Sequence, residues 1–419
     1  MNLLKLTLKS MLNRLGTTLL TVAVIAISVV LLLGVEKVRT EARASFANTI
    51  SGTDLIVGAR SGGVQLLLYS VFRIGNATNN ITWDSYQEVA AHPNVAWTVP
   101  ISLGDSHQGF RVVGTSEAYF EHYRYGRERS LSFAVGTPFE VVYDVVLGAD
   151  VAAELEYTLG EEIVIAHGTG EVSLLDHSDK PFTVVGILNK TGTPVDRSLH
   201  VPLEGIEAIH IDWSGGVPIP SRQLSAEETL TRDLTPGAIT AFLVGVKSKP
   251  GIFRLQRDIN DYRREPLLAV LPGVALQELW GLMGVAERAL LIVSGFVVLS
   301  GLVGMLSSIL SSLNERRREM AILRSVGARP WHIFALLTGE ALIFTLIGCL
   351  LGLGILYGAL FLFRPWVEQT YGLFLSITPP SRYDLTLLAL ILGAGFVMGL
   401  VPAYRAYRNS LADGMTVRV

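Results

Sequence analysis

Four stretches of this 419-residue chain carry no Asp, Glu, Lys or Arg: Leu15 to Val35, Ala289 to Asn314, Ala341 to Phe363 and Leu385 to Tyr404. Each exceeds the roughly 18 apolar residues that mark a membrane-spanning helix, so the pattern predicts four spans. Ahead of the first, residues 1–14 place Leu4, Leu8 and Met11 at helical spacing with Lys5 and Lys9 four apart. That is an amphipathic helix, lying on the membrane surface or simply extending the span.

The long interval from Glu36 to Arg288 reads differently. Runs typical of strands occur at Asp54 to Gly58, Phe139 to Leu147, Glu162 to Ala166, Phe182 to Leu188, His200 to Pro202, Ile239 to Val246 and Leu267 to Leu271. Helical patterns alternate with them: Thr82 to His92, with Thr82 as N-cap and Pro93 as stop, then Ala149 to Glu156 and Pro250 to Tyr262. Gly273 to Glu287 predicts a helix leading directly into span two. Val64 to Phe72 is apolar but too short to span a bilayer. The segment Ser214 to Pro236, rich in Pro, Gly, Ser and Thr, reads as an exposed loop or a small flap. The fold class is therefore an α+β membrane protein, four transmembrane helices with a large α+β domain between the first two.

Charge orients this arrangement. Residues 36–288 hold 31 acidic and 21 basic residues, whereas the rest of the chain holds 13 basic and 6 acidic ones. Those basic residues flank the spans: Lys5, Lys9 and Arg14; Arg316, Arg317, Arg318, Arg324 and Arg329; Arg405, Arg408 and Arg418. The positive-inside rule puts these segments, and both termini, in the cytoplasm. The expected organisation is residues 1–14 inside, span 15–35, outer domain 36–288, span 289–314, inner connection 315–330, span 331–363, outer loop 364–384, span 385–404 and inner tail 405–419. The charged fraction of 17% and mean hydropathy of +0.43 agree with a chain partly solvated by lipid. Span one reads as a retained anchor, since its 21 uncharged residues exceed a signal-peptide core and no small-x-small cleavage site follows. The single Cys349 lies in span three, so the outer domain has no internal disulfide.

Chemistry-bearing motifs are sparse. No Gly-Lys dipeptide occurs, which excludes a Walker-type nucleotide loop in this sequence. No nucleophile elbow appears, so no catalytic residue is assigned. The eight histidines show no metal-ligand spacing, and only folding could bring His200 and His210 together. No metal site and no cofactor are expected, nor any nucleic-acid partner.

The inner connection between spans two and three is the informative segment. It is helix-compatible to Val326, with Gly327 as C-cap and Pro330 as stop. Glu319, Ile322, Leu323 and Val326 form a stripe, and Arg316, Arg317 and Arg324 supply cations. A snorkelling basic loop accounts for the arginines but not for apolar side chains on a segment that is otherwise solvated. A short amphipathic helix with a rigid stop suits docking into a partner's groove. Small residues four apart, Gly348/Gly352, Gly354/Gly358 and Gly395/Gly399, permit close helix packing, within one copy or between two.

Residues 315 to 333, ERRREMAILRSVGARPWHI, resemble the segment joining spans two and three in permeases of the MacB/FtsX/LolC superfamily of ABC transporters. The outer stretches VVLGADVAAEL from Val145, LGEEI from Leu159 and FTVVGILNKTGTPVDRSLHVPL from Phe182 are similar to the MacB-type periplasmic core domain. The resemblance implies a non-catalytic permease of the bacterial inner membrane, of the separate-subunit kind, which couples ATP hydrolysis in a partner to movement outside. Glu315, Arg316, Arg317, Glu319, Met320, Ile322, Leu323, Arg324, Val326 and Gly327 would contact that ABC ATPase subunit, which binds the ATP. Further expected partners are a second copy or a homologous permease, a periplasmic adaptor or substrate-binding protein, and membrane lipids. The implied activity is export or extraction of hydrophobic, lipid-linked or peptide-like cargo. The alternative is FtsX-like signalling to an outer partner such as a cell-wall hydrolase.

Overall fold

The computed structural model describes the chain except residues 1–6, 8, 10, 13, 127, 169–175, 215, 216, 219–222, 316–319, 321, 324, 372–376 and 409–419. It divides into two compact units. One comprises Met1–Glu41, Gly284–Pro365 and Leu375–Val419, the other Ala42–Met283 and Trp366–Phe374.

The second unit is built on a mixed sheet of β1 (Leu55–Ala59), β2 (Val95–His107), β3 (Phe110–Thr115), β4 (Phe133–Gly136), β5 (Asp144–Leu147), β6 (Glu162–Ile163), β7 (Ala166–His167), β8 (Phe182–Leu188), β9 (Ser198–Pro202), β10 (Ala241–Val246) and β11 (Leu267–Val270). The strand order is β11-β1-β10-β2-β3-β9-β5-β8-β4, with β7 on β2 and β6 on β8. Pairs β3–β9 and β5–β8 are parallel and the others antiparallel.

β1 shows why the strands read as unbroken apolar runs. All five of its residues are buried, because both faces of the sheet are covered. Leu55, Val57 and Ala59 pack on one side with Tyr86, Val89, Leu255 and Ile259. Ile56 packs on the other with Leu66 and Leu67. Among the described residues, the helices that place these residues and the membrane segments are α1 (Leu15–Thr49), α2 (Gly63–Ser70), α3 (Trp83–Ala90), α4 (Ala149–Glu154), α5 (Leu203–His210), α6 (Ile252–Asn260), α7 (Pro272–Glu315), α8 (Pro330–Tyr371) and α9 (Arg382–Arg408). Thr82 caps α3 by accepting a hydrogen bond from the Ser85 backbone N–H.

Several sequence expectations are corrected. Phe139 to Leu147 is a strand only from Asp144, because the Asp144 carboxylate accepts from the backbone N–H groups of Glu140 and Val141 and folds the preceding residues into a turn. Glu162 to Ala166 divides between two partners, β6 pairing with β8 and β7 with β2. The run Ile239 to Val246 breaks at Thr240. Its first residue, Ile239, pairs with Ile81, and Ala241–Val246 forms β10. The apolar stretch after Gly62 is helix α2, two of whose leucines are fully buried.

Four helices among the described residues are long and apolar enough to cross a membrane, Leu15–Ala44, Pro272–Leu313, Pro330–Val367 and Arg382–Ala406, and most of their residues belong to the first unit. Their mutual core includes Val22, Ile25 and Val29 of α1, Met305 and Ile309 of α7, Leu337 and Phe344 of α8, and Ile391 of α9. Ser28 Oγ also bonds the Val297 carbonyl, 3.3 Å away, joining α1 to α7. α1 continues beyond the uncharged run to Thr49, and α7 is helical without a break from Pro272 to Glu315.

Candidate functional site

Glu315 ends α7. Beyond it Arg316, Arg317, Glu319 and Arg324 lie outside the described residues. Met320 packs against the core of the membrane unit, and Leu323 is half-buried. Ile322 is 57% exposed and Val326 83%. The helix stops at Gly327, whose φ of +99° is readily adopted only by glycine. The Ala328 N–H then reaches back to the Leu323 carbonyl at 2.9 Å, a Schellman-type closure that satisfies a terminal carbonyl. Among the described residues Ile322, Val326 and Trp331 are thus all more than half exposed.

The three glycine pairs divide into two kinds. A Cβ at Gly348 would stand 2.6 Å from Ile25 Cγ2, and one at Gly352 would stand 2.7 Å from the Ala26 carbonyl oxygen, so both sit tightly against α1. Gly399 meets Ala341 and Gly395 meets Thr345, so α9 seats against α8. Gly354 and Gly358 face open space within this chain. Glu340, at the start of the third span, is buried.

The outer unit overturns the view of the histidines as scattered. His200 and His210 are not brought together. His200 lies among Tyr119 and Phe120, with ring centroids at 4.9 and 6.0 Å. His210 converges instead with Asp105, His167 and His177, one potential ligand atom from each lying within 4.8 Å of the others. β2 supplies Asp105, β7 supplies His167, the turn before β8 supplies His177, and the last residue of α5 supplies His210. Burial opposes ionisation of Asp105, but hydrogen bonds with His167 and His210 outweigh it and hold the carboxyl at about 2. Burial pushes the His177 imidazole down to about 4. Sequence spacing carried no sign of this group, because its members come from four separate segments.

Helices of membrane-spanning length, with a large α+β unit between the first two, mark a multi-pass membrane protein. Residues 18–241 match the model of the MacB-like periplasmic core domain, and residues 291–411 match that of the FtsX-like permease C-terminal region. The chain belongs to the MacB/FtsX-type ABC permease family. A macrolide export ATP-binding/permease protein MacB from Azoarcus sp. (strain BH72) is 24% identical over 417 residues, covering 96% of this chain and 56% of the relative. A probable export ATP-binding/permease protein MacB from Pseudomonas entomophila (strain L48) is 34% identical over 108 residues, 26% of this chain and 15% of the relative. The chain thus spans little more than half the length of the first of these relatives and far less of the second. The crystal structure of the periplasmic region of MacB from Actinobacillus actinomycetemcomitans aligns with a TM-score of 0.33 at 11% identity, covering 56% of this chain and 94% of that one.

Proposed function

We propose that this chain is the membrane subunit of a bacterial inner-membrane ABC transporter. It converts ATP hydrolysis by a separate ATPase subunit into movement of its outer domain, and so exports or extracts hydrophobic, lipid-linked or peptide-like cargo. The carrying observation is the exposed apolar pair Ile322 and Val326 on a helix stopped at Gly327, between two membrane-length helices. Apolar side chains in that position gain by entering a groove on a partner. The basic residues around this segment favour a cytoplasmic position for it, and for both termini.

Continuous helix supports a mechanical route. α7 has 44 residues and a length of about 66 Å at the standard rise, more than twice a hydrocarbon core. Its residues to Met283 belong to the outer unit and those from Gly284 to the membrane unit. An uninterrupted helix conveys displacement of one end to the other. The reading requires two permease copies, or a homologous pair, so that paired ATPase subunits drive paired levers.

The test is co-purification from detergent with the co-expressed ATPase subunit, together with stimulated ATP hydrolysis. Ile322→Asp with Val326→Asp, and separately Leu323→Asp, should remove both signals while membrane insertion persists. Unchanged association and stimulation would refute the docking role of this segment.

A further inference from the structure

The histidine and carboxylate cluster of the outer unit has no part in the proposed coupling, and its geometry is specific. Asp105 Oδ1 lies 3.2 Å from His167 Nδ1, His167 Nδ1 lies 3.1 Å from His210 Nε2, and His210 Nε2 lies 3.5 Å from Asp105 Oδ1. Ligand atoms placed tetrahedrally around an ion at zinc bond lengths stand about 3.3 Å apart. These three atoms therefore already form one face of such a tetrahedron. His177 supplies the fourth vertex, within the 4.8 Å that bounds the group.

The protonation pattern suits a cation. His210 Nδ1 lies 2.8 Å from the Ile206 carbonyl, an acceptor, which puts the proton of a neutral ring on Nδ1 and makes Nε2 a ligand once an ion displaces the proton it shares with Asp105. Asp105 is 4% exposed. His177 is wholly buried, and among the described residues neither of its ring nitrogens has a hydrogen-bond partner. A buried polar atom left unsatisfied costs about 1 to 3 kcal/mol, and coordination would satisfy one of the two nitrogens. Trp213 closes over His177 with ring centroids 4.3 Å apart, shielding the group from water.

We infer that Asp105, His167, His177 and His210 bind one divalent transition metal of the zinc class in a closed four-ligand site. Three imidazoles and one carboxylate favour zinc, copper or nickel over calcium or magnesium, which take oxygen ligands. Four protein ligands leave no open position, so the ion is structural. It staples β2, β7, the turn before β8 and the end of α5, and fixes the chain on both sides of residues 168–176.

The test uses the full chain in detergent, purified on a tag without histidine, stripped with chelator and titrated with zinc chloride against a competing chromophoric chelator. One zinc ion per chain is expected, with a rise in melting temperature on loading, and cobalt(II) should give the visible bands of a four-coordinate site. Changes outside a first shell already cost 10- to 100-fold in affinity, so Asp105→Asn and His177→Gln should each weaken binding by at least about a hundredfold. His167→Gln, on a partly exposed ring, serves as the variant least disturbing to folding. His332→Gln should bind as the parent does. Absence of stoichiometric zinc in the parent at micromolar free metal overturns the site, leaving a hydrogen-bonded His–Asp network. So does undiminished binding in His167→Gln together with His177→Gln. Neither outcome bears on docking at Ile322 and Val326, so the two readings fail separately.

Discussion

Lys180 Nζ lies 2.8 Å from Asp212 Oδ2, with 0% and 2% of the two side chains exposed. The pair ties the turn carrying His177 to the chain just after His210. The Lys180 N–H donates to the His177 carbonyl at 3.0 Å, and Asp212 immediately precedes Trp213, which covers the His177 ring. Burial opposes both charges, yet the mutual hydrogen bond wins, raising the lysine pKa and lowering that of the aspartate.

Removing one member of a buried pair strands the other without a counter-charge. Lys180→Met should cost about 3 kcal/mol and lower the melting temperature by about 6 °C or more. Lys180→Met combined with Asp212→Leu should recover most of that loss. Thermal unfolding followed by circular dichroism measures both, and a double variant no better than the single one would count against the pair as the cause.

The glycine pairs give a second contrast. At Gly352 a methyl group meets backbone oxygen of α1, which cannot move without moving the helix, so Gly352→Ala should destabilise the detergent-solubilised protein by about 1 to 3 kcal/mol. Gly354→Ala and Gly358→Ala add a methyl into open space and should leave melting unchanged or raise it slightly. Equal effects at all three positions would mean that Gly352 does not seat α1.

His200 should govern part of the acid sensitivity. Burial, helped by the Arg73 charge, pushes its pKa down to about 3 from an ordinary 6.5. The unfolded chain therefore takes up a proton below about pH 6.5 while the folded chain does not. Stability is unaffected above that pH and falls as pH drops from 6.5 towards 3, with a limiting slope of about 1.4 kcal/mol per pH unit for this one group. Chemical denaturation of the parent and of His200→Leu across this range should show a shallower decline in the variant. Parallel curves would remove His200 as a contributor.

At Gly327 the positive φ sets the direction in which the chain leaves the helix between the second and third spans. Gly327→Val places a β-branched residue in left-handed backbone, a strain of order 1 to 3 kcal/mol, and should loosen the stop. ATPase stimulation is expected to fall while the amount of protein in the membrane fraction stays the same. Full stimulation would show that the stop is dispensable.

The amino-acid sequence by itself determined the four spans, the charge asymmetry, the helical lead into span two and the stop at Gly327. Each is a property of contiguous residues: an uncharged run long enough for a bilayer, a count of charges, or a glycine placed after an amphipathic turn. The tertiary structure alone decided which glycines form seams, because that depends on what α1 and α9 present to α8. It also decided where strand pairing switches at Thr240 and before Asp144, since the competing side-chain bonds and partner strands are distant in sequence or specific to the folded turn. The histidine cluster is the extreme case. His167 stands 62 residues from Asp105 and 43 from His210, so no spacing rule joins them. Only the pairing of β7 with β2 and the packing of α5 bring their ligand atoms to within hydrogen-bonding distance.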